Sequence, residues 1–200
     1  MKNYPLPRSG RICMTEGKAL APRPSVLLWL VLALGGLALS ACVSDENPDE
    51  RGYIVSVGQK VPNFSIHYLD GSRELLSAHE GKVIMLQFAA SWCSVCQAIT
   101  PRIEGEIWQS YKDNPNFVLL GIDFKESEDV VRQFIKDTAL NYPFTLDPDG
   151  SRFALFCSPD AGVTRNIIVD KSGKIAMLTR LYDEAEFAEM KNIINKLLTE

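Results

Sequence analysis

An α/β fold, with a mixed central sheet flanked by helices, is predicted by three features of the 200-residue chain. Lys82 to Ala89 (KVIMLQFA) and Asn116 to Asp123 (NFVLLGID) are nearly continuous apolar runs, as expected of strands covered on both faces. Amphipathic stretches of helical period alternate with them. Asp70-Gly71 separates two short runs, Phe64 to Leu69 and Arg73 to Leu76, as the turn of an N-terminal β-hairpin. Strands alternating with helices imply helices packed on one shared sheet.

Each element has its own signal. After the strand at 82–89, Ser91-Trp92 leads into a helix from Cys93 to about Lys112, and Pro101 within it lacks an N–H and should kink it. Ser127 to Thr138 carries acids at its start, apolar Val130, Val131, Phe134 and Ile135, and Lys136 near its end, so its charges suit the helix dipole. Asp147-Pro148-Asp149-Gly150 is a turn and Arg152 to Phe156 a short helix. Arg165 to Val169 and Ile175 to Leu181 are strands around the turn Asp170-Lys171-Ser172-Gly173. Glu184 to Leu198 closes the chain as a helix with Phe187, Met190, Ile194 and Leu197 on one face. The expected order is β-β-β-α-β-α-α-β-β-α. Trp108, Tyr111 and Phe117 fall at core spacings, and Glu126-Ser127-Glu128-Asp129 reads as a helix start. His67 and His79 read as surface residues rather than ligands.

The folded domain is assigned to residues 53–200, and what precedes it differs in composition. Val26 to Ala41 (VLLWLVLALGGLALSA) has no charge, and five cations with one acid, Glu16, lie before it. A basic lead, an apolar run and small residues at a boundary describe an export signal over residues 1–41, with Met1 or Met14 as the start. A retained anchor is the other reading, but sixteen residues are short of the ~20 of a spanning helix, and Gly35 and Gly36 weaken this run. Leu39-Ser40-Ala41-Cys42 resembles a bacterial lipobox, which implies cleavage before Cys42 and lipid on that cysteine. Two or more acyl chains anchor a protein stably where one is marginal. The implied place is the cell envelope, on the inner or outer membrane, facing the periplasm or the cell surface.

Val43 to Gly52 (VSDENPDERG) is acidic and aperiodic, so residues 42–52 read as a solvated tether. Acids directly after a lipidated cysteine also resemble a surface-export tag. Without residues 1–41 the chain keeps 16 basic and 24 acidic residues, a net charge of −8. That balance argues against nucleic acid and against electrostatic binding to anionic lipid, so the membrane is a partner only through the lipid on Cys42.

Of five cysteines, Cys93, Cys96 and Cys157 remain in the mature chain. Three thiols are too few to staple an exported fold, and two of them stand three residues apart between a buried strand and a helix. Free amides and the macrodipole at a helix N-terminus favour a thiolate at Cys93, and Cys96 lies nearly one turn further on. Cys93 can then attack a substrate disulfide, and Cys96 can resolve the mixed disulfide; the reverse oxidises a dithiol. A zinc site needs four ligands, whereas Cys157, His67 and His79 are the other donors and no second Cys pair exists, so no metal and no cofactor is implied. A purely structural disulfide is disfavoured by the helix N-terminus. Cys157, in the packed segment Phe153 to Cys157, reads as a small buried hydrophobe or as a candidate third thiol.

From about Val57 onward the chain resembles the TlpA/ResA branch of the thioredoxin superfamily. The stretches that carry the resemblance are VGQKVPNFSIHYLDG, GKVIMLQFAASWCSVC, Pro101, LLGIDFKESEDVVRQFI, YPFTLDPDG and NIIVDKSGKI. That branch comprises exported, membrane-tethered thiol–disulfide oxidoreductases of thioredoxin-like fold. The resemblance implies that Cys93 is the nucleophile, Cys96 the resolving thiol and Trp92 the aromatic residue before them, with a central α/β insertion over residues 116–150. It also implies substrate proteins with disulfides or dithiols, and a membrane protein, unidentified, as electron donor.

The sequence departs from the family pattern at three places. The loop facing the Cys pair normally carries a cis-proline, where this chain has Val163-Thr164; a cis bond before a non-proline costs ~3–4 kcal/mol, so the bond is strained or trans. Many members place a glutamate three residues after the second cysteine, where this chain has Ile99, and Glu104 or Glu106 is not assumed to replace it. The dipeptide between the cysteines is Ser94-Val95, where proline is common second. The function expected is reduction of disulfides in exported proteins. A non-catalytic adaptor of the same fold is the alternative. A peroxiredoxin-like peroxidase shares the VGQKVPNF opening, but Ala90 stands where its active-site frame needs a hydroxyl. A copper chaperone would need a wider Cys spacing and a later histidine.

Overall fold

The computed structural model describes residues 51–200; the expected signal at 1–41, Cys42 and the expected tether up to residue 50 lie outside the described residues. The hairpin forms as expected. Strands β1 (Ser65–His67) and β2 (Arg73–Leu75) pair antiparallel, with Ser65 opposite Leu75. Gly71 turns the chain at φ +84°, and the Asp70 carboxylate accepts the Ser72 N–H at 2.8 Å.

The main sheet holds β3 (Val83–Ala89), β4 (Phe117–Phe124), β5 (Phe144–Asp147), β6 (Arg165–Val169) and β7 (Ile175–Arg180), in the order β5-β4-β3-β6-β7. β3, β4 and β5 run parallel, while β6 is antiparallel to β3 and to β7. Every residue of β3 is buried, as its unbroken apolar run requires of a central strand. β5 has no counterpart in the expected order. It is four residues long, with Pro143 before it and a turn after it, and reads locally as loop. Pairing with β4 makes it a strand, and the missing side chain at Gly121 leaves room for the Phe144 ring.

Three long helical segments cover the sheet. α1 (Ser94–Ile103) buries Cys96, Ile99, Thr100 and Ile103. Pro101 removes the N–H that would bond the carbonyl of Gln97, and the chain continues not as a kinked α-helix but through a π-turn (Glu104–Trp108) into α2 (Gln109–Tyr111). α3 (Glu128–Thr138) buries Val131 and Phe134, and α4 (Glu184–Thr199) buries Phe187, Met190 and Ile194. Each such side chain stabilises the fold by roughly 1.5–3 kcal/mol relative to exposure. The short helix after the Asp147 turn is a single 3₁₀ turn, Phe153–Leu155. Asp147 is wholly buried and anchors that turn: it accepts the N–H groups of Arg152 and Phe153 at 3.1 and 2.9 Å and pairs with the Arg152 guanidinium at 3.2 Å. His67 and His79 are half-buried rather than fully exposed, and His79 meets Glu74 at 3.1 Å. Among the described residues the fold already engages Arg51, two residues before the expected domain start, whose guanidinium donates to the Leu178 carbonyl at 2.7 Å.

Two backbone positions give predictions of opposite sign. An added methyl at Gly121 would lie 2.1 Å from the Phe144 ring, so Gly121→Ala is expected to destabilise by about 1–3 kcal/mol. Exposed Ala139 closes α3 at φ +53°, so Ala139→Gly is expected to stabilise by about 1 kcal/mol. Urea unfolding midpoints check both.

Candidate active site

The site is assembled where β3 ends. Ala89 and Ala90 are fully buried, and the Cys93 N–H donates back to the Ala90 carbonyl at 3.2 Å, turning the chain into α1. Cys93 becomes the N-cap of α1 in extended conformation, and its sulfur accepts the Cys96 N–H at 3.3 Å. This is the arrangement in which an unpaired helix amide favours a thiolate. Cys93 is half-exposed, Cys96 is wholly buried behind it, and both thiols are free.

The second wall comes from β6. Its register sets Arg165 opposite Phe88, so Thr164 flanks the end of β3, and the Thr164 N–H donates to the Phe88 carbonyl at 3.2 Å. From there the Thr164 hydroxyl oxygen lies 3.0 Å from the Cys93 sulfur and 2.9 Å from the Cys96 sulfur. No peptide bond among the described residues is cis, so the Val163–Thr164 bond is trans. The conformational demand of the position falls instead on φ: Thr164 adopts +70°, and Leu181, whose N–H donates to the Thr164 carbonyl at 2.9 Å, adopts +60°. Such left-handed conformations cost about 1–3 kcal/mol each and cluster where function holds them in place. Val163 is buried next to them, and Trp92 is 63 % exposed at the rim.

Burial pushes the Cys96 thiol up to about 12, aided by the neighbouring Cys93, while the Thr164 hydroxyl and the Ala90 backbone amide pull the other way. No acid relieves that burial. Ile99 is buried in the place of the family glutamate. Burial disfavours charge on Glu104, yet hydrogen bonds from Asn141 and Gln109 hold its carboxylate below the usual range, at 2.9 Å from the Asn141 N–H and 2.7 Å from Gln109. Glu106 is engaged by Lys191 and Arg102.

Two acids behind the site were not singled out by the sequence. Glu126, in the run that starts α3 as expected, directly precedes the N-cap Ser127 and also accepts the N–H and hydroxyl of Ser91, each at 2.6 Å, clamping the loop before Cys93. Asp123, paired with Ala89 across the sheet, is fully buried and accepts the Glu126 N–H at 3.1 Å. Burial and the adjacent Glu126 carboxylate push Asp123 up to about 8. A contact spanning 35 residues leaves no local sequence signal. Cys157 is 1 % exposed, with its backbone bridged to Tyr53 and its thiol beside the Tyr53 phenol. Cys42 lies outside the described residues.

The family model of the AhpC/TSA family matches residues 57–178, more than half of the chain. The chain belongs to the AhpC/TSA family. The thiol–disulfide oxidoreductase ResA of Bacillus subtilis is 25% identical over 182 residues, covering 90% of this chain and 96% of the relative. The solution structure of a Bacteroides thetaiotaomicron protein, provisionally named a protein disulfide isomerase, is 49% identical, covers 74% of this chain and 94% of its own, and superposes with a TM-score of 0.72. The thioredoxin domain of a Bacteroides vulgatus thiol–disulfide oxidoreductase covers 70% of this chain and 99% of its own, with a TM-score of 0.57 at 21% identity, a likeness of fold alone. This AhpC/TSA-family chain has the thioredoxin fold and, by its ResA-like relatives, is a thiol–disulfide oxidoreductase.

Asp123 gives a prediction in pH. Between 3.8 and about 8 the folded chain holds a proton that the unfolded chain has released, so this group's contribution is full below 3.8 and is lost as pH rises through that window. Asp123→Asn, which keeps an acceptor for Glu126, is expected to flatten that decline and to raise the melting temperature near the top of the window. Thermal unfolding of both proteins across the window checks it.

Proposed function

We infer that this chain is an exported, lipid-anchored oxidoreductase that reduces disulfides of other exported proteins. The observation that carries the redox part is the half-exposed Cys93 sulfur at the first turn of α1, with buried Cys96 next to it on the shared Thr164 hydroxyl. The signal-like segment at 1–41 and the lipobox-like Leu39 to Cys42 support export and anchoring.

The electrons balance as follows. The Cys93 thiolate attacks one sulfur of a substrate disulfide; a Cys93–substrate bond forms and the other substrate sulfur leaves as a thiolate. Cys96 then attacks the Cys93 sulfur, closing the Cys93–Cys96 disulfide and releasing the second substrate thiol. The substrate gains two electrons and the protein loses two. A dithiol donor, assigned to a membrane protein, restores the reduced pair. An open groove of about 530 Å³ beside the pair, lined by Val95, Ala98, Ile99, Arg102, Leu181 and Tyr182, suits the polypeptide around the substrate cysteine. Arg102 keeps its guanidinium over the Tyr182 and Phe187 rings, leaving a largely apolar surface.

Two expected outcomes follow. The protein should reduce insulin disulfides with dithiothreitol as donor; Cys93→Ser should fall to background, and Cys96→Ser should accumulate a mixed disulfide with its substrate. A wild-type protein as inert as Cys93→Ser would leave the adaptor reading in its place. In bacterial cells fed a labelled fatty acid, the chain should take up label, and Cys42→Ser should take up none; equal labelling of the two removes the anchor at Cys42.

A further inference from the structure

We propose that the Thr164 hydroxyl relays the proton of the resolving step, taking it from Cys96 as that thiol attacks the mixed disulfide. The proposal rests on the oxidoreductase reading above and adds the group that moves the proton. Cys96 must lose its proton to become a nucleophile, yet its sulfur is sealed from solvent. Its polar neighbours are the Ala90 N–H, which can only donate, the Cys93 sulfur, which is bonded to substrate at that moment, and the Thr164 hydroxyl. Only the hydroxyl can accept.

Asp123, opposite Ala89 at the end of β4, accepts the Glu126 N–H and touches neither sulfur, and the other titratable groups around the pair are committed or face away. Tyr142, beside Cys96, hydrogen-bonds Gln87 and is held well above its ordinary range by burial, so it stays a phenol. Glu104 is held by Asn141 and Gln109, and Glu126 by Ser91. Arg165 follows Thr164 but turns to the Gly162 carbonyl at 2.8 Å and the Tyr53 ring at 4.6 Å.

One hydroxyl carries one proton, so of its two sulfur contacts it accepts one and donates the other. In the resolving step the Cys96 S–H proton passes to the Thr164 oxygen, and the hydroxyl's own proton passes through solvent water at the half-exposed Cys93 to the departing substrate sulfur. That sulfur is bonded to Cys93, which lies 3.0 Å from the same oxygen. The Cys96–Cys93 bond forms, the Cys93–substrate bond breaks with its electron pair on the substrate sulfur, and the hydroxyl is restored. No oxidant or further base is needed. The strained φ of Thr164 is what aims the oxygen between the two sulfurs.

The test follows oxidation of the reduced protein by oxidised glutathione, with acid quenching and mass spectrometry to separate the glutathione adduct from the closed disulfide. In wild type the adduct should not accumulate. In Thr164→Val, which removes the hydroxyl at equal size, adduct formation should persist while its resolution near neutral pH slows by roughly 100-fold. Thr164→Ser should resolve like wild type, and the Thr164→Val deficit should shrink as alkali ionises Cys96 directly. Resolution by Thr164→Val within about twofold of wild type, or a pH-independent deficit shared by Thr164→Ser, overturns the relay. Wild-type resolution should also slow in deuterated water, a readout that needs no variant; an unchanged rate contradicts the proposal. A wild-type protein that forms neither adduct nor disulfide overturns the oxidoreductase reading itself.

Discussion

The antiparallel register of β6 against β3 is the constraint on which the site depends. Pairing Phe88 with Arg165 brings Thr164 to the strand end from which the Cys93 loop departs, and one hydroxyl then touches both sulfurs. A shift of that pairing by one residue would turn Thr164 to the other face of the sheet and leave Cys96 without an acceptor. The buried strand β3 fixes where the loop begins, the helix α1 fixes where Cys93 ends up, and β6 supplies the third side.

Around this frame, each thiol sits in the environment its step requires. Cys93 is half-exposed and takes its hydrogen bond from a helix amide, so substrate can reach it. Cys96 is sealed, so it stays a thiol until a mixed disulfide brings an electrophile to it. The Ser91–Glu126 clamp and the buried Asp123 behind it hold the loop from the far side, tying the active site to the edge unit β4-α3-β5. The loop is therefore braced by charge-assisted hydrogen bonds on one side and by strained backbone at Thr164 and Leu181 on the other.

Much of this was legible in the sequence because it rests on local pattern. The unbroken apolar run of β3, the Cys spacing at a helix start, the Asp70-Gly71 turn and the amphipathic closing helix each carry their structure within a few residues. Three features were not, and each depends on distant partners. β5 is a strand through its pairing with β4 and the space at Gly121. Glu126 looks like any acid ahead of a helix until Ser91, 35 residues earlier, is placed against it. Pro101 announced a break, but whether the chain would bend or widen into a π-turn depends on what packs beneath it, and Ile103 and Ile107 are wholly buried there. At Thr164 the sequence posed a choice between a strained and a trans bond, and the chain answers with a trans bond and a left-handed residue.

The central claim is that Cys93 and Cys96 form one reversible two-electron couple. Equilibrating the protein in glutathione buffers of graded potential, then alkylating and weighing it, measures this directly. A single transition is expected in which Cys93 and Cys96 lose and regain alkylation together, with ~30 mV for each tenfold change in the ratio of oxidised to reduced protein. Both thiols remaining alkylatable at every potential, or either one titrating alone, would contradict the account.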